Sequence, residues 1–324
     1  MRKKLMPLLI ALFLLCGCAA PIAQTTQTGN LTVVCAAFPE YCWVRAVIGD
    51  ARGVDIRLLM DNGVDAHSYQ PSVQDIVTAE NCDLLVYSGG PSEAWLTDTA
   101  AQYRTEKATV CLMGVLSDRL LMEDRGSVLQ VENGTDAFEV DEHVWLSLRN
   151  AEICVNALCG ALSALDPDGG AQYAANAENY SAALNTLDVD FSRAIEHATV
   201  RELVFADRFP FLYLLNDYGI AHTAAFQGCS AESEASFQTI IALTERLDAL
   251  NLPAVLVMEG SNDALAKAVV AGSGEPEREI LVLNSMQSVT KKEFASGVDY
   301  LDIMRENFAI LARAMEVDYA ADYS

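Results

Sequence analysis

Four side chains able to hold a metal ion follow strand-like runs or enter from loops beside them: His67, His143, Asp207 and Asn284. Two belong to each half of the chain, and none lies within a helical turn of another. No local metal motif exists, so only a fold that closes two halves face to face can gather them. Imidazole nitrogen and carboxylate oxygen suit zinc, manganese or iron, and two histidines with one carboxylate can hold any of these. In open α/β sheets, ligands bind outside the carboxyl ends of the strands, which is where these residues are expected.

The elements that would position them read as follows. The apolar run 55–60 is a strand that enters Gly63-Val64-Asp65-Ala66-His67-Ser68-Tyr69-Gln70-Pro71. Asp61, Asn62 and Gly63 break it, and Pro71-Ser72 opens a helix. His143 closes the acidic, aperiodic stretch 123–141, which reads as a surface loop. Asp141 and Glu142 flank His143 and can orient it. Asp207 falls just past a strand at 202–206 and Asn284 just past one at 279–283; Glu259, after the strand 254–258, is a reserve ligand. His197 ends a long helix, where a cation suits the helix dipole, and His222 opens a strand as a structural residue.

The whole chain repeats this pattern. Strands are expected at 31–36, 55–60, 83–87 and 109–113, with helices at 41–48, 72–80 and 92–103. A helix at 147–164 precedes the longest helical pattern, 171–198, which has no Pro or Gly and is long enough to act as a spine. Four more strands follow at 202–206, 221–226, 254–258 and 279–283, with helices at 210–218, 236–250, 262–271 and 298–317. Strand and helix alternating in this way imply parallel sheets covered on both faces. The expected fold is α/β, with two lobes that each carry a four-stranded parallel sheet, joined by a long backbone helix. The divisions are 1–18 (signal), 19–30 (tether), 31–165 (first lobe), 166–199 (linking helix) and 200–324 (second lobe).

Met1-Arg2-Lys3-Lys4 followed by an apolar run to Leu15 is a signal peptide, too short to span a bilayer as a mature helix. Its ending, Leu15-Cys16-Gly17-Cys18, resembles a bacterial lipobox and makes Cys18 the expected lipidation site. The protein is thus expected outside the cytoplasm, lipid-anchored to the outer face of the bacterial cell membrane. With 45 acidic residues against 21 Lys and Arg, the formal charge is −24, which argues against nucleic acid and anionic membranes as partners and favours cations. The chain has nine cysteines but no C-x-x-C pair, so no zinc–cysteine site is expected, and thiols in strand patterns such as Cys35 and Cys111 read as small hydrophobes.

Together these residues resemble the solute-binding lipoproteins of zinc and manganese ABC importers. The resemblance rests on the Gly63–Pro71 string and on Asp141-Glu142-His143-Val144-Trp145-Leu146. Gly90-x-x-Glu93-x-Trp95 and Asp299-Tyr300-Leu301-x-x-Met304-Arg305-x-Asn307 add to it. It implies one zinc or manganese ion bound in the cleft, delivered to an ABC importer permease, and no enzymatic activity. It also implies that His67 and His143 are ligands, with Asp207 at a place commonly held by histidine in zinc binders and often by an acid in manganese binders. Asn284 stands where the family commonly has aspartate. Its neutral carbonyl would leave the ion's charge undercompensated, so Asn284→Asp is expected to raise affinity. The rival readings are an adhesion or scaffold lipoprotein with a vestigial site, and a two-His, one-carboxylate metalloenzyme.

Overall fold

The computed structural model describes residues 30–97, 108–123, 127–130, 140–228 and 234–317. The signal, the lipidation site Cys18 and most of the tether lie outside them, as does part of the helix expected at 92–103. Strands β1 (Leu31–Cys35), β2 (Val54–Leu58), β3 (Leu84–Tyr87) and β4 (Ala108–Cys111) form a parallel sheet in the order β2-β1-β3-β4. β3 is buried along its whole length, as a central strand covered on both faces must be.

The second sheet has five strands in the order β5-β7-β6-β8-β9, all parallel. They are β5 (Val128–Gln130), β6 (Glu202–Phe209), β7 (Ala221–Gln227), β8 (Ala254–Met258) and β9 (Glu279–Leu283). The additional strand, β5, comes from the acidic stretch expected to be a loop. Three residues are too few to show a period in sequence, yet pairing them with β7 covers what would otherwise be a bare sheet edge.

The helix Gly170–Glu196 is the spine, 27 residues and about 40 Å long. It buries Tyr173, Tyr180, Leu184, Leu187 and Phe191 along one side, and His197 stands at its C-cap. The closing helix Tyr300–Ala314 returns from the second sheet to the first. Its Tyr300 meets Trp43 edge-on at 5.2 Å between ring centroids, and its Phe308 meets Phe191 at 4.6 Å. One apolar core therefore runs through both halves, from Leu31 in β1 to Met315. A large apolar contact of this kind opposes wholesale rotation of one half against the other. Among the described residues, no helix is long and apolar enough to cross a membrane.

The described cysteines are all free thiols, and Cys35, Cys42, Cys82 and Cys154 are buried. Burial pushes the Cys35 thiol well above its ordinary range, and the thiol packs as a small hydrophobe in the core.

Candidate metal centre

His67 lies in a short 3-10 turn, Ala66–Ser68, that forms because Asp65 Oδ1 accepts the His67 N–H at 2.9 Å. The turn occupies the loop at the carboxyl end of β2, as the sequence implies. His143 comes from a different part of the chain and is fully buried. Val144, Trp145 and Leu146 follow it in a second 3-10 turn, all buried. Residues far along the sequence pin that turn in place. Tyr213 Oη donates to Asp141 O at 2.9 Å, Trp145 Nε1 donates to Ser285 O at 2.9 Å, and Tyr300 Oη donates to Trp145 O at 2.7 Å.

The two rings converge, with His67 Nε2 and His143 Nε2 only 3.2 Å apart. The other nitrogen of each ring faces a carboxylate. His143 Nδ1 is 3.0 Å from Asp141 Oδ1, and His67 Nδ1 is 3.1 Å from Glu142 Oε1 and 2.6 Å from Ser92 Oγ. A carboxylate at Nδ1 favours the tautomer with its proton there, which leaves both Nε2 lone pairs pointing into one gap. Two lone pairs cannot face each other across 3.2 Å without a cation or a proton between them. Imidazoles bound at about 2.0–2.1 Å to one tetrahedral zinc would have their nitrogens about 3.3 Å apart, close to the spacing found.

Glu142 also belongs to the three-residue group whose potential ligand atoms lie within 4.8 Å of one another. Its carboxylate meets His67 at Nδ1, the nitrogen on the other side of the ring from the gap. Ser92 ties the two together, because its hydroxyl bonds both Glu142 and His67 and its N–H donates to Glu142 Oε2 at 3.0 Å. The Gly90–Trp95 motif thereby acquires physical roles. Glu93 accepts the Ser88 and Gly89 N–H groups at 2.6 and 3.1 Å and holds the turn that presents Ser92.

The electrostatics of the pair are asymmetric. Burial, and next the facing His143, hold the His67 imidazole below its ordinary pKa, so it stays neutral at physiological pH. Burial also pulls His143 down, but the Asp141 carboxylate and then Glu142 outweigh it and leave its pKa raised.

Asp207 and Asn284 occupy other surroundings. β6 runs past Asp207, and the register with β7 shifts between Phe205 and Arg208, so Asp207 sits in a bulge. A bulge re-aims a side chain, and here the carboxylate accepts N–H bonds from Arg208 (2.8 Å) and Met258 (3.1 Å). It lines a cavity of about 350 Å³ together with Gly63, Asp65, Arg208, Met258 and Glu259. Asn284 works within its own loop. Its Oδ1 accepts Met286 N–H at 2.8 Å, while Asn307 bonds its backbone on both sides at 2.8 Å. The reserve candidate Glu259 is likewise engaged, accepting Ser285 N–H at 2.7 Å and Ser285 Oγ at 2.6 Å.

The residue of this loop that faces His143 is Gln287, three places beyond Asn284. Its amide nitrogen is anchored on Ser285 Oγ at 3.0 Å, while its buried Oε1 makes no hydrogen bond of proper geometry. Sequence reading missed Gln287 and Ser92, since neither type stands out as a ligand or an orienting group. His197 caps the spine helix, and His222 stacks on Phe209 with ring centroids 3.7 Å apart.

The family described as "Zinc-uptake complex component A periplasmic" matches residues 33–314. The chain belongs to that family. A zinc-binding protein AdcA of Streptococcus pyogenes serotype M18 is 27% identical over 334 residues, covering 98% of this chain and 62% of that protein. The chain thus spans less than two thirds of the length of the AdcA relatives it matches. The high-affinity zinc uptake system protein ZnuA of Bacillus subtilis is 25% identical over 306 residues, covering 93% of each. Among solved structures, the Zn(II)-bound ZnuA-like domain of Streptococcus pneumoniae AdcA superposes with a TM-score of 0.71 at 26% identity, covering 89% of this chain and all of that domain. The two parallel sheets and spine helix of the present chain are the architecture of that structure.

Proposed function

We propose that this chain is an extracytoplasmic solute-binding protein that captures one zinc or manganese ion and delivers it to an ABC importer permease. The observation that carries this reading is the 3.2 Å gap between two imidazole nitrogens whose opposite faces are held by carboxylates. The zinc-binding relatives and the zinc-uptake description of the family support it.

In this reading His67 and His143 are the ligands, while Asp141, Glu142 and Ser92 hold the rings. Gln287, rather than Asn284, supplies a neutral oxygen beside His143. Asp207, on the wall of the adjoining cavity, contributes a carboxylate from the second half as compensating charge for a dication. Two imidazoles in a tetrahedral spacing favour zinc over manganese, which prefers oxygen ligands. Residues 31–165 and 200–324 act as the two lobes, with 166–199 between them, and a lipid on Cys18 anchors the protein to the outer face of the membrane.

The test is metal analysis of protein purified without chelator, followed by competitive titration with zinc and manganese. One equivalent of ion per chain, with zinc held more tightly, is the expected result. A chain that takes up neither metal would overturn the proposal. Membrane retention of a Cys18→Ala variant would separately remove the lipid anchor from it.

A further inference from the structure

Of the two histidines, His143 is embedded in the core, whereas His67 rides on a loop with few buried neighbours. Around it only Ala66 is buried, and Gly63, Asp65 and Tyr69 are in part open to solvent. On its own half the loop packs Ala66 and Tyr69 with Leu59, Met60 and Trp95, whereas the side-chain bonds that tie it to the other half are polar. Asp65 uses its two carboxylate oxygens in different directions. Oδ1 caps the turn that carries His67, and Oδ2 accepts Arg208 Nη2 at 2.5 Å from the other half of the molecule. Each of these two side chains is only 19% exposed. Arg208 is in turn fixed in the β6 bulge beside Asp207, and the pair stands at the wall of the 350 Å³ cavity. The one other ion pair from this loop to the second half among the described residues, Lys291 to Asp61 at 3.9 Å, is exposed and long; such pairs contribute little.

We infer that Asp65 and Arg208 form a latch that clamps the His67 turn onto the second sheet and sets how long a bound metal ion is retained. This rests on the metal-binding role proposed above. The apolar core joining the halves resists large swinging motions, so release of the ion requires the His67 loop to lift. Lifting it breaks the charge-assisted bond to Arg208 while leaving the Oδ1 cap intact. Arg208 is thus a positioning residue: it acts on His67 through Asp65 and touches no ion itself.

The two ends of the latch can be tested separately from the fold. Asp65→Asn keeps an oxygen for the His67 N–H, since asparagine caps as well as aspartate, but loses the charge facing Arg208. Zinc-loaded wild type, Asp65→Asn, Arg208→Gln and the double variant are each mixed with excess EDTA, and zinc release is followed in time. Each single variant is expected to release zinc about tenfold faster, the size of effect that a lost charge-assisted bond of about 1.4 kcal/mol produces. Association rates should change little. The double variant should release no faster than the singles, and Arg208→Lys should restore part of the retention. Release at the wild-type rate from both singles overturns the latch. So does a double-variant effect equal to the product of the single effects, or release rates that merely follow a lowered melting temperature of the metal-free protein. Wild type that binds zinc alongside variants that hold it equally well removes the latch alone; wild type that binds no metal removes the proposed function as well.

Discussion

Gly90 approaches Glu142 so closely that a methyl group on its Cα would stand 2.0 Å from Oε2 and 2.3 Å from Cβ. Its backbone is ordinary extended chain, so space rather than conformation demands glycine here. Gly90→Ala must push Glu142 off His67 Nδ1 and Ser92. Loss of an orienting partner of this kind lowers metal affinity by about 10- to 100-fold. Competitive zinc titration should find a drop of that size, and wild-type affinity in Gly90→Ala would show that Glu142 does not orient the ligand.

The four histidines should separate into two classes. His67→Ala and His143→Ala are expected to nearly abolish zinc binding, while His197→Ala and His222→Ala bind as wild type does. His143→Ala should also melt at a lower temperature than His67→Ala, because the His143 ring is completely buried and its loss leaves a cavity in the core, whereas His67 is partly open to solvent. Titration and thermal melting of the four variants side by side check both statements.

Position 287 rather than 284 should tune the affinity. Gln287→Glu places a carboxylate beside His143 and is expected to tighten zinc several-fold through direct charge attraction. Asn284→Asp, which from sequence alone is expected to raise affinity, should leave it nearly unchanged, since its Oδ1 already serves Met286 N–H. A reversed result in the same titration would return the neutral-oxygen role to Asn284.

Below the site, Glu40 is completely buried, and burial pushes its carboxyl up from 4.5 to about 7 against the opposing pull of hydrogen bonds from Ser88 and its own turn. Glu93, bonded to the N–H of that same Ser88, is raised as well, by burial and then by the charge of Glu40. A carboxyl whose folded-state pKa is raised contributes its stability fully below its unfolded value and loses it as pH rises through the folded one. Metal-free protein should therefore lose on the order of 1–3 kcal/mol from Glu40 between pH 4.5 and about 7. Glu40→Gln should flatten that part of the stability profile. Denaturant unfolding at several pH values measures it, and an equal slope in both proteins would count against the assignment.

Much of the architecture was legible in the chain because it is local. β8 and β9 begin and end where their apolar runs do, and the spine helix matches its uninterrupted helical period to within two residues at either end. His67 and His143 could be singled out because each sits in a compact string with its own cap or flanking acid, Asp65 for one and Asp141 for the other. Those strings carried the family resemblance as well. The three-dimensional fold alone decided what those strings meet. The Asp207 bulge, the pairing of β5 with β7, the Ser92 hydroxyl between Glu142 and His67, and Gln287 beside His143 all depend on contacts between distant segments. Trp145 and Ser285, 140 residues apart, are joined by one hydrogen bond that seats the His143 turn against the Gln287 loop. Periodicity reports which face of an element is buried; it carries no record of which distant loop will lie against it, and a binding site is made of such encounters.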